Sequence, residues 1–325
     1  MREPPPGVSD QQVLDVVRRE WRDIDTIEHL PVGFGAHHWK ASRAGEPVLF
    51  VTYDRLLPRR SLAELEAAYA SAAVLAETLE FVLASLPSAS GRFAVALGAG
   101  AASVTPWTAG RTGDGEFSSA DEAVACAGML QQLHATPAPA MLPRWRPLVA
   151  PDFADSLSGR LNSEWETGPH GETARTGIAS RLPDIRRWTT RYHELARVAC
   201  GRWDSWVATH GEPDTGNQIV TGHGRLLVDW ESAKLAPRER DFRALVDAGF
   251  AGLLGDVDDS MLEMFDLEWR LDEISHYADW FEQPHTGSAS DAVALQGLLG
   301  ELERDDWRAP RDQRHSVGGG GSGLA

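Results

Sequence analysis

Hydrophobic positions change their period along this chain. In the first third, short alternating runs sit between two stretches of helical spacing. Ser9-Asp10-Gln11-Gln12 is a capping-box pattern, and Val13, Leu14, Val17 and Trp21 form an apolar stripe behind it, so a helix is expected to about Asp23. Strands are expected over residues 26–31, 36–42 and 48–53. Ser61-Leu62-Ala63-Glu64 repeats the capping pattern and opens an Ala-rich helix to about Leu83, after which residues 93–97 and 102–107 read as two more strands. From Ser119 onward the spacing is mostly helical, over 119–135, 152–165, 172–200 with a break near Pro183, 256–284 and 290–302. One β signal interrupts it. Gln218-Ile219-Val220 and residues 224–229 flank the turn signal Thr221-Gly222-His223-Gly224 and predict a hairpin.

Composition narrows the classes. A chain of 325 residues with 42% hydrophobic content can bury a large core. No apolar run approaches the ~20 residues that span a bilayer, and the start Met1-Arg2-Glu3-Pro4-Pro5-Pro6 has no apolar signal region. Cys126 and Cys200 give neither a metal spacing nor a disulfide framework. A cytoplasmic protein without membrane attachment is the expectation. The formal charge of −17 disfavours a nucleic-acid partner, whose phosphates would be repelled, and is compatible with a cationic small molecule as well as with plain solubility. The closing Gly-rich stretch, residues 316–325, reads as flexible linker.

The chemistry concentrates around the hairpin. His210-Gly211-Glu212-Pro213-Asp214-Thr215-Gly216-Asn217 precedes it, and Leu226-Leu227-Val228-Asp229-Trp230-Glu231 ends it. In kinase-type phosphoryl transfer a carboxylate takes the acceptor proton, an Asn five positions later and an Asp beyond the next strand hold Mg²⁺, and the protein mainly supplies position and charge. Glu212 occupies the base position, Asn217 the plus-five position and Asp229 the strand end, while Asp214 is a second carboxylate close enough to serve as base instead. Gly216 permits a tight backbone before Asn217. Earlier in the chain, Gly33 and Gly35 lie two apart before a strand, a spacing that suits a turn over phosphates or an ordinary hairpin turn.

These motifs resemble the aminoglycoside phosphotransferase and choline kinase superfamily, whose signature is His-Gly-Asp-x-x-x-x-Asn followed by an Ile/Val-Asp-Trp/Phe strand end. The resemblance extends over roughly residues 25–285. Gly128 to Ala135 resembles the helix ending in Leu-His, Pro237 to Phe242 the segment after the metal Asp, and Val104 to Arg111 the hinge. It implies an α+β, two-lobe, protein-kinase-like fold. Residues 1–106 would form a nucleotide-binding lobe with an antiparallel sheet, 107–312 a mainly helical catalytic and substrate-binding lobe, and 313–325 a flexible tail. It also implies ATP- or GTP-dependent O-phosphorylation of a small hydroxylated molecule, with Mg²⁺ as cofactor. The expected acceptor is an aminoglycoside-type or related antibiotic, phosphorylated in resistance. The backbone of Thr105 or Trp107 would meet the base, since Pro106 has no N–H. The acceptor site would lie between the acidic helices of Asp256 to Glu282 and the loop, with two or three of their carboxylates reaching the ligand and the rest on solvated faces, and with Trp269, Trp280 and Phe281 either walling it or packing the core.

Two positions depart from the pattern. Glu212 replaces Asp, extending the carboxylate by about 1.5 Å. Thr52 stands on the third strand where the family has the Lys that holds the nucleotide phosphates and pairs with a helix Glu, here Glu64 or Glu66. The chain has only two lysines, Lys40 and Lys234, and Lys40 on the preceding strand either substitutes for the missing cation or faces solvent. Two rival readings stay open: a metabolic small-molecule kinase of the same fold, and a pseudokinase-like nucleotide-binding protein without turnover.

Overall fold

The computed structural model describes residues 1–33, 35–56 and 61–307. The sequence forms helix α1 (Asp10–Glu20), strands β1 (Thr26–Leu30), β2 (His37–Arg43) and β3 (Glu46–Arg55), helix α2 (Leu62–Ala76), and strands β4 (Val95–Leu97) and β5 (Gly100–Pro106). Helix α3 (Ala120–Ala135), α4 (Phe153–Arg160), α5 (Gly171–Ser180) and α6 (Leu182–Cys200) follow, then strands β6 (Val207–Thr209), β7 (Gln218–Thr221), β8 (Gly224–Leu227) and β9 (Lys234–Ala236), and helices α7 (Arg243–Asp247), α8 (Asp259–Glu282) and α9 (Ala289–Glu303). The architecture is the expected α+β, kinase-like one. Both capping boxes form: Ser9 exchanges hydrogen bonds with Gln12, and Ser61 with Glu64.

Five strands make one antiparallel sheet in the order β1-β2-β3-β5-β4. Strand alternation splits its residues between two faces. Trp39, Ala41, Leu49, Val51, Tyr53, Ala102 and Val104 pack against Val13, Val16 and Val17 of α1 in one buried cluster. The other face carries His38, Lys40, Phe50, Thr52, Asp54, Ser103 and Thr105. On that face Tyr69 of α2 donates its hydroxyl to Asp54 of β3 at 2.9 Å, both side chains being buried. The α2 carboxylates expected to pair with a strand cation serve elsewhere. Glu64 closes the capping box, and Glu66 accepts the N–H groups of Phe93 and Ala94 at 2.9 and 2.7 Å.

Helix α2 ends at Ala76, short of Leu83. The following residues turn instead onto the hairpin β7-β8, where Leu83 N–H donates to Leu227 O at 3.0 Å and Leu227 N–H to Phe81 O at 2.6 Å. The helical break near Pro183 falls at Arg181, with Pro183 in the first turn of α6, where its missing N–H has no partner to lose.

By packing, the chain divides into two compact units. One comprises Met1–Trp145 with Trp206–Ala248, and holds the five-stranded sheet together with the hairpin. The second comprises Arg146–Ser205 with residues from Gly249 onward and is helical. Its α8 buries Arg270 completely, with the guanidinium 4.4 Å from the Trp188 ring centroid and donating to the Arg304 and Asp305 carbonyls at 2.9 and 2.5 Å. Phe281 is likewise buried, while the half-buried Trp269 and Trp280 donate their indole N–H groups to Glu301 at 3.1 Å and Asp291 at 2.8 Å. No helix among the described residues is long and apolar enough to cross a membrane. The proposed tail, residues 313–325, lies outside the described residues.

Leu227 is fully buried where the hairpin joins residues 81–83. Leu227→Ala is expected to cost about 3 kcal/mol in urea unfolding, the usual penalty for a large-to-small change at a rigid site.

Candidate active site

The loop over residues 210–217 starts at the end of β6, which pairs antiparallel with β9. Neither of these three-residue strands is expected from the sequence, where residues 204–209 read only as a lead into the loop. Their pairing fixes both ends of the segment that carries the chemistry.

A buried carboxylate holds the loop's backbone. Asp241 accepts the N–H of His210 at 3.1 Å and of Gly211 at 2.6 Å, and the His134 ring N–H at 2.8 Å. Burial alone would raise the Asp241 carboxyl, but the hydrogen bond and charge of His134, with Arg240 and His210 nearby, hold it below its ordinary value. His134 is therefore a structural histidine at the end of α3. Arg240 braces the same loop, donating to Thr209 Oγ1 at 3.1 Å and to the Ser232 carbonyl at 2.9 Å. Gly211 has φ of 111°, and a Cβ there would lie 2.6 Å from the Arg240 guanidinium. The loop's tight point is thus Gly211, not Gly216, whose φ is not in the left-handed region.

His210 joins the loop to the far end of the hairpin. Its Nδ1 accepts the Glu212 N–H at 3.2 Å and its Nε2 lies 2.6 Å from the Val228 carbonyl. A carbonyl can only accept, so Nε2 carries the hydrogen and the ring is neutral. Full burial, foremost, pushes the His210 pKa down to about 4. The ring stacks edge-on against buried Trp230 at 4.7 Å, whose indole donates to the Leu227 carbonyl at 2.9 Å. Above this packed pair, Asp229 is exposed and left-handed, with φ 62° and ψ 59°. β8 ends two residues before it, so Asp229 lies off the ladder expected to contain it. The conformation costs a non-glycine residue about 1 to 2 kcal/mol, which the surrounding contacts must offset.

Asn217 closes the set. Its side-chain N–H donates to the Glu212 carbonyl at 2.9 Å, which directs Oδ1 away as the acceptor end, and its own carbonyl accepts the Val228 N–H at 3.0 Å. Glu212 and Asn217 are therefore tied to each other and, through His210 and the Asn217 carbonyl, to Val228, the residue before Asp229, and the Glu212 side chain is exposed. Asp214 has a different environment. Its Oδ1 accepts from Gly216 and Asn217 N–H at 2.8 and 3.3 Å, and burial, partly offset by those two bonds, raises its carboxyl. It acts as the cap of the short turn that presents Asn217.

Further residues missed by the sequence reading hold this loop from below. Pro213 O receives the Cys126 thiol at 3.2 Å and the Gln218 amide at 2.9 Å, and burial pushes the thiol up to about 12, so Cys126 is an inert donor. Thr215 Oγ1 donates to Glu116 O at 2.8 Å and accepts the Gly115 N–H at 3.1 Å, strapping the segment after the hinge to the loop.

The expected nucleotide-side residues lie in the same unit. Gly33 and Gly35 both have left-handed φ, 69° and 95°. Thr52 faces His38 across β2-β3, and Lys40 faces Phe50 with its ammonium 2.6 Å from Glu28. The Trp107 N–H donates to the Val48 carbonyl at 3.1 Å, and Thr105 sits opposite Phe50 in the ladder. The Trp107 and Phe50 rings lie 6.4 Å apart.

A strand sheet with a glycine turn, joined in one unit to a loop bearing a carboxylate, an amide and a second carboxylate, is the layout of a small-molecule phosphotransferase. The family model described as the Phosphotransferase enzyme family matches residues 41–280, and the chain belongs to that family as a small-molecule kinase. It is 29% identical over 312 residues to Protein StrN of Streptomyces griseus, covering 90% of this chain and 93% of that protein. Its fold is similar to that of a spectinomycin phosphotransferase solved with ADP and spectinomycin, with a TM-score of 0.70, 15% identity, and coverage of 92% of this chain and 96% of the other. A microcompartment-associated aminopropanol kinase shares the fold at a TM-score of 0.60 and 12% identity, over 90% of this chain and 95% of the other.

Asp241→Ala leaves two loop N–H groups and His134 unsatisfied. It is expected to destabilise by about 3 kcal/mol in chemical unfolding and to lower kcat more than it raises KM. Protonation of His210 sets a pH dependence. The unfolded chain binds a proton near 6.5 and the folded chain only near 4. Between those values the unfolded state holds more protons, so stability that is complete above about 6.5 is lost as pH falls toward about 4. Urea midpoints should fall from pH 7 to pH 4.5, and less steeply in His210→Gln.

Proposed function

We propose that this kinase transfers the γ-phosphoryl group of ATP or GTP to a hydroxyl of a small molecule, and that an aminoglycoside-type or related antibiotic is its acceptor class. The observation that carries this reading is the single hydrogen-bonded set in which His210 and Asn217 tie the backbone of Glu212 to Val228, the residue before Asp229. Glu212 takes the proton as the acceptor O–H breaks. The new O–P bond forms, the bond from Pγ to the leaving β-phosphate oxygen breaks, and the nucleoside diphosphate departs. Asp214, engaged by two backbone N–H groups, is a positioning residue in this scheme rather than the base.

The donor set fits Mg²⁺. Asn217 Oδ1 and the Asp229 carboxylate are hard oxygen ligands, with Glu231 two residues on. No group of three or more His, Cys, Asp or Glu side chains among the described residues is set to hold a metal. That suits an ion that keeps several waters and shares phosphate oxygens rather than one caged by protein. When bound, the ion would neutralise charge on the transferring phosphoryl group. Asn217 and Asp229 would hold it, Gly33 and Gly35 would cover the phosphates, and Phe50, Thr105 and Trp107 would border the base. A net charge of −17 is compatible with a cationic acceptor, and the spectinomycin complex of the similarly folded phosphotransferase supports an antibiotic. The shared fold of the aminopropanol kinase supports the second reading, a metabolic amino alcohol or related acceptor. A cytoplasmic location would supply the nucleotide to either.

A panel of aminoglycosides, spectinomycin-type compounds, amino alcohols and sugars, incubated with Mg²⁺ and ATP or GTP, should show mass gain of one phosphoryl group on an antibiotic. Gain only on a metabolite would transfer the assignment to the second reading, and nucleotide binding without turnover on any acceptor would make the protein a binding module. Glu212→Gln is expected to lower kcat on the order of a hundred- to ten-thousand-fold while nucleotide affinity stays. Equal turnover by that variant would return the base role to Asp214.

A further inference from the structure

Resting on the phosphotransferase reading, we propose that His38 is a nucleotide-phosphate ligand, a neutral imidazole N–H donor that occupies the place of the strand lysine which Thr52 lacks. Strand register singles out His38. In the β2-β3 ladder His38 is the residue opposite Thr52, whereas Lys40 lies opposite Phe50 and its ammonium is held 2.6 Å from Glu28. The imidazole leans over Thr52, with Nδ1 3.3 Å from Thr52 Oγ1. Its other nitrogen lies beside Gly33, where a built Cβ would meet Nε2 at 3.1 Å. The Phe50 ring, 4.9 Å away, packs on the imidazole and limits its rotation.

This geometry selects one tautomer once phosphate is present. A phosphate oxygen only accepts hydrogen bonds, so beside Gly33 it requires a hydrogen on Nε2. Nδ1 is then an acceptor, and the Thr52 hydroxyl supplies its donor. His38 is 5% exposed, and burial, foremost, with the neighbouring N-terminal ammonium and histidines, lowers its pKa to about 3. The group offered to the nucleotide is thus a fixed dipole rather than a charge. Thr52 becomes a positioning residue for His38, which gives a role to the position where the family's lysine is missing.

Phosphate-number dependence tests this. With Mg²⁺ present, equilibrium binding of the triphosphate, diphosphate and nucleoside of whichever purine the wild-type protein prefers is measured by calorimetry for His38→Met, His38→Gln, Thr52→Val and Lys40→Met. His38→Met, which keeps volume and loses the donor, is expected to weaken the triphosphate and diphosphate about tenfold or more and to leave the nucleoside unchanged. His38→Gln, which retains a side-chain N–H, should recover most of that loss, and Thr52→Val should show a smaller loss with the same selectivity. If His38→Met does not fold, the contrast between His38→Gln and Thr52→Val still decides: equal loss for nucleoside and triphosphate in Thr52→Val overturns the proposal. So does unchanged triphosphate affinity in His38→Met, or a loss confined to Lys40→Met. A wild-type protein that binds no nucleotide at all would overturn the phosphotransferase reading itself, a result distinct from normal binding that ignores His38.

Discussion

The carboxylate of Asp241 is the constraint from which the site is built. It lies 1% exposed and meets two successive loop N–H groups and the His134 ring, so a buried charge is satisfied by three donors from two elements. Breaking such a set leaves several unpaired polar groups in a low-dielectric interior, which is far costlier than losing one surface contact. With the backbone of 210–211 fixed, the His210 ring has one orientation. That ring in turn fixes the amide of Glu212 and the carbonyl before Asp229. Glu212 and Asp229 are exposed and Asn217 half-buried, while Asp241 and His210, which aim them, are buried, and this separation lets precise placement coexist with access to substrate.

Backbone strain fits the same logic. Asp229 takes a left-handed conformation because Val228 is held on both sides, by Asn217 O and by His210, and Trp230 is anchored beneath. A residue turned out of a strand at that point projects its carboxylate off the ladder. The backbone pairing of Leu227 with Phe81 and Leu83 anchors the hairpin end that holds it, from the sheet-bearing part of the same unit.

Much of this was legible in the sequence. Alternation and capping boxes located the five strands and the first helices, because those signals are local. The Glu212, Asn217 and Asp229 spacing marked the loop, because a hairpin of fixed length brings those positions together. What stayed hidden depended on long-range pairing. The strands β6 and β9 are three residues each, too short for a period to show, and form only because 207–209 meet 234–236. Helix α2 stops early because residues 81–83 find partners in the hairpin. Asp241 was visible only as part of a resembling segment, since no local pattern tells that a carboxylate will be buried under a loop thirty residues away. Gly216 drew attention for its place before Asn217, yet the left-handed φ belongs to Gly211, where the Arg240 guanidinium fills the space of a side chain. Likewise, the eye falls on Lys40 in a chain with two lysines, but register gives the position beside Thr52 to a histidine.

A crystal structure with Mg²⁺ and a non-hydrolysable nucleoside triphosphate tests the account most directly. It should show the ion bound by Asn217 Oδ1 and the Asp229 carboxylate against phosphate oxygens, with the Glu212 carboxylate facing the terminal phosphate. An ion and phosphates bound away from these three side chains would contradict it.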